Sequence, residues 1–195
     1  MPPAERKLPP DQTPIDRILR WFEEHPGITR SAPKINLKAW ALTIDGEVEY
    51  PKKLSWNDFL RLPIVESVSD FHCVEGWSVL DCRWKGVHFR DIMGLVKPLK
   101  KARYVLFECA DGYTTFFVLE ELLGDDILLA HKLNGKELDI GLGFPVRLVV
   151  PGKYAYKSAM WVTGIRFATE KVLGYWEKRG YSDTADVWRN DRFLR

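Results

Sequence analysis

Sulfur-bearing side chains are scarce in this 195-residue chain, which has 3 Cys and 3 Met. The thiols fall at Cys73, Cys82 and Cys109, an odd number with no Cys-x-x-Cys pair. That spacing encodes no disulfide framework and no zinc finger of the usual kind, and it makes a reducing compartment, the cytoplasm, the expected location. An excess of one charge is missing too. Lys and Arg number 29 against 27 Asp and Glu, a formal +2, which leaves no clustered basic footprint for nucleic acid. Long apolar runs are also absent. Stretches such as Leu148-Val149-Val150 fall far short of the roughly 20 residues a bilayer demands, and the chain opens with neither a signal-peptide core nor a twin-arginine stretch. No internal repeat shows. Aromatic residues are plentiful, at 13% with 8 Trp, inside a composition that is 46% hydrophobic and 29% charged. This is the make-up of a soluble globular chain, and at this length it forms one domain able to bury roughly 70% of its unfolded surface.

Punctuation residues divide the chain. Pro2, Pro3, Pro9 and Pro10 among charges make residues 1–12 a mobile N-terminal arm. Thr13 as N-cap with Pro14 after it predicts an amphipathic helix carrying Ile15, Ile18, Leu19 and Phe22, stopped at Pro26-Gly27, so that 13–34 form a helix and linker before a main domain at 35–195. Trp40, Leu42 and Ile44, then Asp45-Gly46, then Val48 and Tyr50 predict a hairpin. Ser55 and Asp58 form a capping box for a short helix from Trp56 to Leu62, and a second helix is predicted over Phe89 to Val96. Strands are predicted at Val65 to Val74, Ala102 to Cys109, Tyr113 to Val118, Ile127 to Leu133 and Val146 to Val150, with turns at Asp111-Gly112 and Asn134-Gly135. Strands outnumber helices without βαβ alternation, which gives an α+β fold with mixed, mostly antiparallel sheets.

Cys73 ends a predicted strand, and the polar, Gly-broken Glu75-Gly76-Trp77-Ser78 follows it as a loop, so its thiol stands where a rigid scaffold meets a cleft. A thiolate there is a soft metal ligand or a nucleophile. The ordinary alternative is a buried Cys acting as a small hydrophobe. That reading suits Cys109, inside the strand Tyr104 to Phe107, while Cys82, between Asp81 and Arg83, reads as a loop thiol. His72, Cys73, Cys82 and Cys109 lack zinc-site spacing. A Cys-His hydrolase pairing Cys73 with His88 or His131 has no local signature. Further along, Arg147 opens an apolar strand, and Pro151-Gly152, Lys153, Lys157 and Ser158 follow it, a set of donors suited to an anion such as phosphate. Arg147 beside Leu148-Val149-Val150 needs a carboxylate or a bound anion if it points inward, whereas Lys153 reads as a solvated surface residue.

Several spaced motifs then act together: Phe71-His72-Cys73-Val74-Glu75-Gly76-Trp77-Ser78, Trp84-Lys85-Gly86-Val87, Asp111-Gly112-Tyr113, Asn134-Gly135, Phe144-Pro145-Val146-Arg147-Leu148-Val149-Val150-Pro151 and Tyr156-Lys157-Ser158-Ala159 before Trp161-Val162. In this order, and through the tail with Gly174-Tyr175-Trp176-Glu177 and Asp186 before Trp188-Arg189, the chain resembles the molybdopterin-binding domain of the sulfite oxidase family, in its short stand-alone prokaryotic form. The resemblance implies a molybdenum-molybdopterin cofactor with Cys73 as the protein thiolate on the metal. It implies cofactor contacts from His72, Arg147, Lys157, Ser158, Ala159, Met160, Asp111 and Tyr113. It also implies two-electron oxygen-atom transfer on a small sulfite-like oxyanion or sulfoxide, with electrons exchanged with a separate haem or other redox protein, because no haem domain precedes the core. Arg83, Arg90 and Arg103 are candidate substrate cations. Leu142 and Met160 stand where relatives carry polar residues, and Ala155 where they carry Gly, which makes a non-catalytic binding module of the same fold the second reading.

Overall fold

β-branched and aromatic residues dominate the segments that become strands. In the computed structural model, which describes residues 6–194, these are β1 (Thr13–Pro14), β2 (Ala41–Gly46), β3 (Lys52–Ser55), β4 (Ile64–His72), β5 (Trp77–His88), β6 (Tyr104–Cys109), β7 (Thr114–Val118), β8 (Leu128–Leu133), β9 (Lys136–Glu137), β10 (Arg147–Val149) and β11 (Val162–Ala168). Two helices, α1 (Trp56–Leu60) and α2 (Phe89–Val96), accompany them. In one sheet β5 is central: β4 runs antiparallel along most of it, β1 runs parallel to its start, and β8, flanked by β9 and β10, pairs with its end. The other sheet has the order β3-β2-β11-β6-β7, with β2 and β11 parallel and the remaining neighbours antiparallel. The α+β class with mixed, mostly antiparallel sheets is therefore what the structure shows.

Apolar burial explains this layout. Leu42, Ile44, Phe59, Phe89, Ile92, Val105, Phe107, Phe117, Ile165 and Phe167 form the larger core, and Phe71, Trp77, Val79, Cys82, Trp84, Leu128 and Val149 a second one under the β4-β5 face. β5 and β8 approach so closely at Gly86 that a Cβ there would meet the Leu129 carbonyl oxygen at 2.1 Å, so only glycine fits. Among the described residues no helix is long and apolar enough to cross a membrane.

Local signals translate directly. Ser55 Oγ accepts from the Asp58 amide at 3.2 Å while Asp58 Oδ2 accepts from the Ser55 amide at 3.0 Å, the capping box that starts α1. α2 has the predicted bounds. Non-local pairing overturns other expectations. Thr13 opens no helix: its amide donates to the Gly76 carbonyl at 2.9 Å and that of Ile15 to Ser78 at 2.8 Å, so the segment adds to β5 as β1. Ile15, Ile18 and Leu19 still face the second core. Residues 1–5 of the expected arm lie outside the described residues, while Arg6 bridges Asp70 and Asp81. The return strand of the first hairpin is β3 at Lys52–Ser55, not Val48 to Tyr50. Cys82, expected in a loop, lies buried inside β5.

Lys157 is buried as a charge together with its partner. Its Nζ lies 2.6 Å from Glu177 Oε1 with both side chains 0% exposed, donates to the Phe116 carbonyl, and sits 4.6 Å and 4.7 Å from the Phe116 and Phe117 ring centres. Thr115 Oγ1 donates to the same carboxylate oxygen at 2.8 Å, so this pair fastens the C-terminal segment to β7. A buried charge left alone is expensive. Glu177→Gln is expected to lower stability by roughly 3 kcal/mol in urea unfolding, and Lys157→Met with Glu177→Leu to recover most of that loss.

Candidate active site

β4 ends at His72, so Cys73 is the first residue beyond the sheet, and the chain reverses through Gly76, where φ is +100°, into β5. The turn is held from several sides. The Cys73 amide donates to the Trp77 carbonyl at 2.8 Å, Gln12 Nε2 donates to the Cys73 carbonyl at 3.1 Å, and an Arg192 guanidinium nitrogen donates to the Val74 carbonyl at 3.0 Å. His72 faces away from the thiol. Its Nδ1 donates to Ser78 Oγ at 2.7 Å, because that hydroxyl spends its own proton on Gln12 Oε1 at 2.8 Å.

Cys73 looks into a cavity of about 410 Å³. The same cavity is lined by Arg147, Ser158, Ala159, Met160, Asp111 and Tyr113. Six of the eight cofactor contacts implied by the sequence therefore share one space with the thiol: of the eight, His72 and Lys157 do not line it, being bound to Ser78 and Glu177. Arg83, Arg90 and Arg103 are not among the lining residues, and neither are His88 and His131. Among the described residues no group of three or more His, Cys, Asp or Glu can hold a metal by itself.

Burial decides the charges here. It pushes the Cys73 thiol up to about 12, a shift opposed by the Glu75 amide and reinforced by the Glu75 carboxylate. An activated nucleophile needs the opposite shift, which argues against a Cys-His hydrolase. Arg147 is 2% exposed, and burial brings its guanidinium down to about 10. It donates to the Leu142 carbonyl at 3.1 Å and the Ser158 carbonyl at 3.2 Å and lies 4.9 Å and 5.3 Å from the Phe71 and Trp84 ring centres. Its Nε is buried with no acceptor, and no carboxylate among the described residues pairs with it. Gly143, at φ +101°, lets the chain pass close by: a Cβ there would meet Met160 at 3.0 Å and Arg147 at 3.1 Å. Asp111 is pushed up by burial, and Tyr113 donates to the Tyr156 carbonyl.

Residues that the sequence did not single out complete the walls. Trp21, His25 and Ile28 come from the N-terminal segment, Glu75 from the turn after Cys73, and Tyr175 and Tyr181 from the tail. The tail motif Gly174-Tyr175-Trp176-Glu177 held a signal for Tyr175; nothing local marked the first three.

Comparison with known proteins shows the family. The family described as oxidoreductase molybdopterin binding domain matches residues 29–176. The uncharacterized oxidoreductase YuiH of Bacillus subtilis (strain 168) is 40% identical over 158 residues, covering 81% of this chain and 80% of that protein. The protein-methionine-sulfoxide reductase catalytic subunit MsrP of Campylobacter jejuni is 32% identical over 169 residues, 78% of this chain but 57% of the relative, so the chain spans little more than half of that protein. The sulfane dehydrogenase SoxCD of Paracoccus pantotrophus shares the fold, with a TM-score of 0.68 at 22% identity over 77% of this chain and 42% of that one. The chain belongs to the oxidoreductase molybdopterin-binding domain family, whose cofactor is molybdenum-molybdopterin.

Proposed function

We propose that the chain catalyses two-electron oxygen-atom transfer on a small sulfoxide or sulfite-like substrate at Cys73, exchanging electrons with a separate redox protein. The observation that carries this reading is a buried thiol and a buried, carboxylate-free guanidinium facing one cavity of about 410 Å³. The volume lies within the range of cofactor sites. The donor set fits a cofactor that is anionic at one end and metal-bearing at the other: a soft sulfur for the metal, a cation with an orphaned Nε for the anion, and aromatic walls between. That MsrP is named a catalytic subunit supports a separate electron carrier. Three free thiols support a reducing compartment such as the cytoplasm.

When bound, the cofactor would supply a sulfur-ligated metal that changes oxidation state by two electrons. The protein supplies position, charge and dryness. Reducing a sulfoxide takes up two electrons and two protons and releases the sulfide and water; oxidising sulfite takes up water and releases sulfate, two electrons and two protons. Cys73 holds its proton in the cofactor-free protein and releases it on ligating a metal, which couples cofactor insertion to pH. Arg147 answers the cofactor's anionic end, and its hydrogen bonds to Leu142 and Ser158 fix the guanidinium plane before anything binds. Asp111 and Tyr113 line the same cavity. Met160 lines the cavity and donates no side-chain hydrogen bond, while Leu142 stays out of it and offers only its carbonyl to Arg147, so retention leans more heavily on Cys73 and Arg147.

Protein made in a host that synthesises the cofactor is expected to contain molybdenum by elemental analysis, and Cys73→Ser to lose most of it; a metal-free wild type would contradict the reading. Arg147→Met is expected to reduce pterin content at least about tenfold while changing the unfolding free energy of the cofactor-free protein by less than about 2 kcal/mol, since a carboxylate-free buried cation adds little stability of its own. Alkylation of Cys73 in cofactor-free protein, followed by peptide mass spectrometry, is expected to keep accelerating above pH 10, where an ordinary thiol has levelled off.

A further inference from the structure

Arg192 stands in the C-terminal tail and is not among the residues lining the cavity. Its donors all go to uncharged acceptors. Nε donates to Asn190 Oδ1 at 2.8 Å and to Tyr154 Oη at 3.3 Å, while the two terminal nitrogens donate to the Val74 carbonyl at 3.0 Å and the Asp11 carbonyl at 3.3 Å. The bond to Val74 leads to the thiol. The Val74 carbonyl and the Glu75 amide belong to one planar peptide group, in which C=O and N–H point in opposite directions. Against the burial that keeps Cys73 protonated, the Glu75 amide and, less strongly, the Val74 amide favour the anionic sulfur. The Val74 amide in turn shares its peptide group with the Cys73 carbonyl, which accepts from Gln12 Nε2 at 3.1 Å. Two relays therefore converge on one sulfur, a cationic one from the C-terminal tail and a neutral one from the N-terminal segment. The Glu75 carboxylate, with Oε2 3.8 Å from Sγ, works against both.

We propose that Arg192 is a positioning residue that draws electron density from the Cys73 sulfur through the Val74–Glu75 peptide group and so raises the reduction potential of a metal held by that sulfur. The part concerning the metal rests on the molybdenum reading of the site, whereas the relay to the sulfur does not. A cation on the carbonyl oxygen polarises the peptide and strengthens its N–H as a donor, as successive hydrogen bonds in a chain strengthen one another. A charge-assisted bond is roughly twice as strong as a neutral one, so Arg192 outweighs Gln12. A thiolate that gives up density to N–H donors passes less of it to a metal, which favours the reduced metal; hydrogen bonds to sulfur set the potentials of iron–sulfur sites in the same way.

Nuclear magnetic resonance of cofactor-free protein reads the relay without any metal. Arg192→Met removes donor and charge at similar side-chain length and should move the Glu75 amide nitrogen and proton upfield by more than any other amide of the turn. Arg192→Lys, which keeps the charge, should recover at least half of that displacement, and Gln12→Ala should move the Val74 amide more than that of Glu75. Arg192→Gln is the second neutral variant if Arg192→Met does not fold. An unmoved Glu75 amide in the neutral variant, or a displacement that Arg192→Lys fails to recover by half, would overturn the proposal, because a merely bracing guanidinium predicts loosening without charge rescue. In molybdenum-loaded protein the equilibrium constant for one-electron reduction of the metal, followed by electron paramagnetic resonance, should fall about threefold or more in Arg192→Met, equivalent to about 28 mV. It should fall less in Gln12→Ala and return towards wild type in Arg192→Lys. A smaller fall in Arg192→Met, or an equal or larger one in Gln12→Ala, would contradict the tuning of the metal. Failure to load molybdenum bears on the functional reading alone, since the amide measurement stands without it.

Discussion

A buried guanidinium must be answered by negative charge, and Arg147 finds none among the described protein side chains. Backbone carbonyls and two aromatic faces solvate it partly, yet burial still draws its proton affinity down. Residues held in this condition are poor stabilisers and good binders, since an arriving anion gains what the protein withheld. Lys157 makes the contrast. Ten residues further on, it is as deeply buried but fully paired with Glu177, so it braces the tail and has no charge to offer a ligand.

The rest of the architecture serves to hold Cys73 in one cavity with that cation. The thiol follows the last residue of β4, and the turn beyond it receives hydrogen bonds from both ends of the chain: Gln12 from the N-terminal side and Arg192 from the C-terminal side. Asn190 and Asp11 tie those two segments to each other at 2.8 Å. A ligand on a strand end, braced by two sequence-distant segments, keeps its place when a metal pulls on it. Further along the N-terminal segment, the Trp21 amide donates to the Gly141 carbonyl at 3.0 Å and His25 Nε2 lies 2.9 Å from Glu75 Oε1, which holds both rings at the cavity wall.

Local features were legible from sequence, and non-local ones were hidden. The Ser55–Asp58 cap, α2 and the end of β4 just before Cys73 depend on neighbours a few residues apart, and each was readable. β5 was not, because Asp81 adopts φ +53° and a register shift opposite Asp70 breaks its alternation. Ile15, Ile18, Leu19 and Phe22 have helical spacing and do find apolar partners, but the carbonyls of Gly76 and Ser78 claim the amides of Thr13 and Ile15 and draw out the backbone as β1. At the site, Cys73 and Arg147 stood out as a thiol at a strand end and a charge in an apolar run. Lys157 could not be separated from them by sequence, since its partner Glu177 lies 20 residues away. His25 carried no signal because its partner Glu75 lies 50 residues on.

The central claim is a bond between the Cys73 sulfur and molybdenum. X-ray absorption at the molybdenum edge counts the sulfur neighbours of the metal directly. Wild-type protein should show one more sulfur neighbour than Cys73→Ser loaded with the same cofactor, at a metal-thiolate distance. Equal sulfur counts in the two proteins would contradict the account.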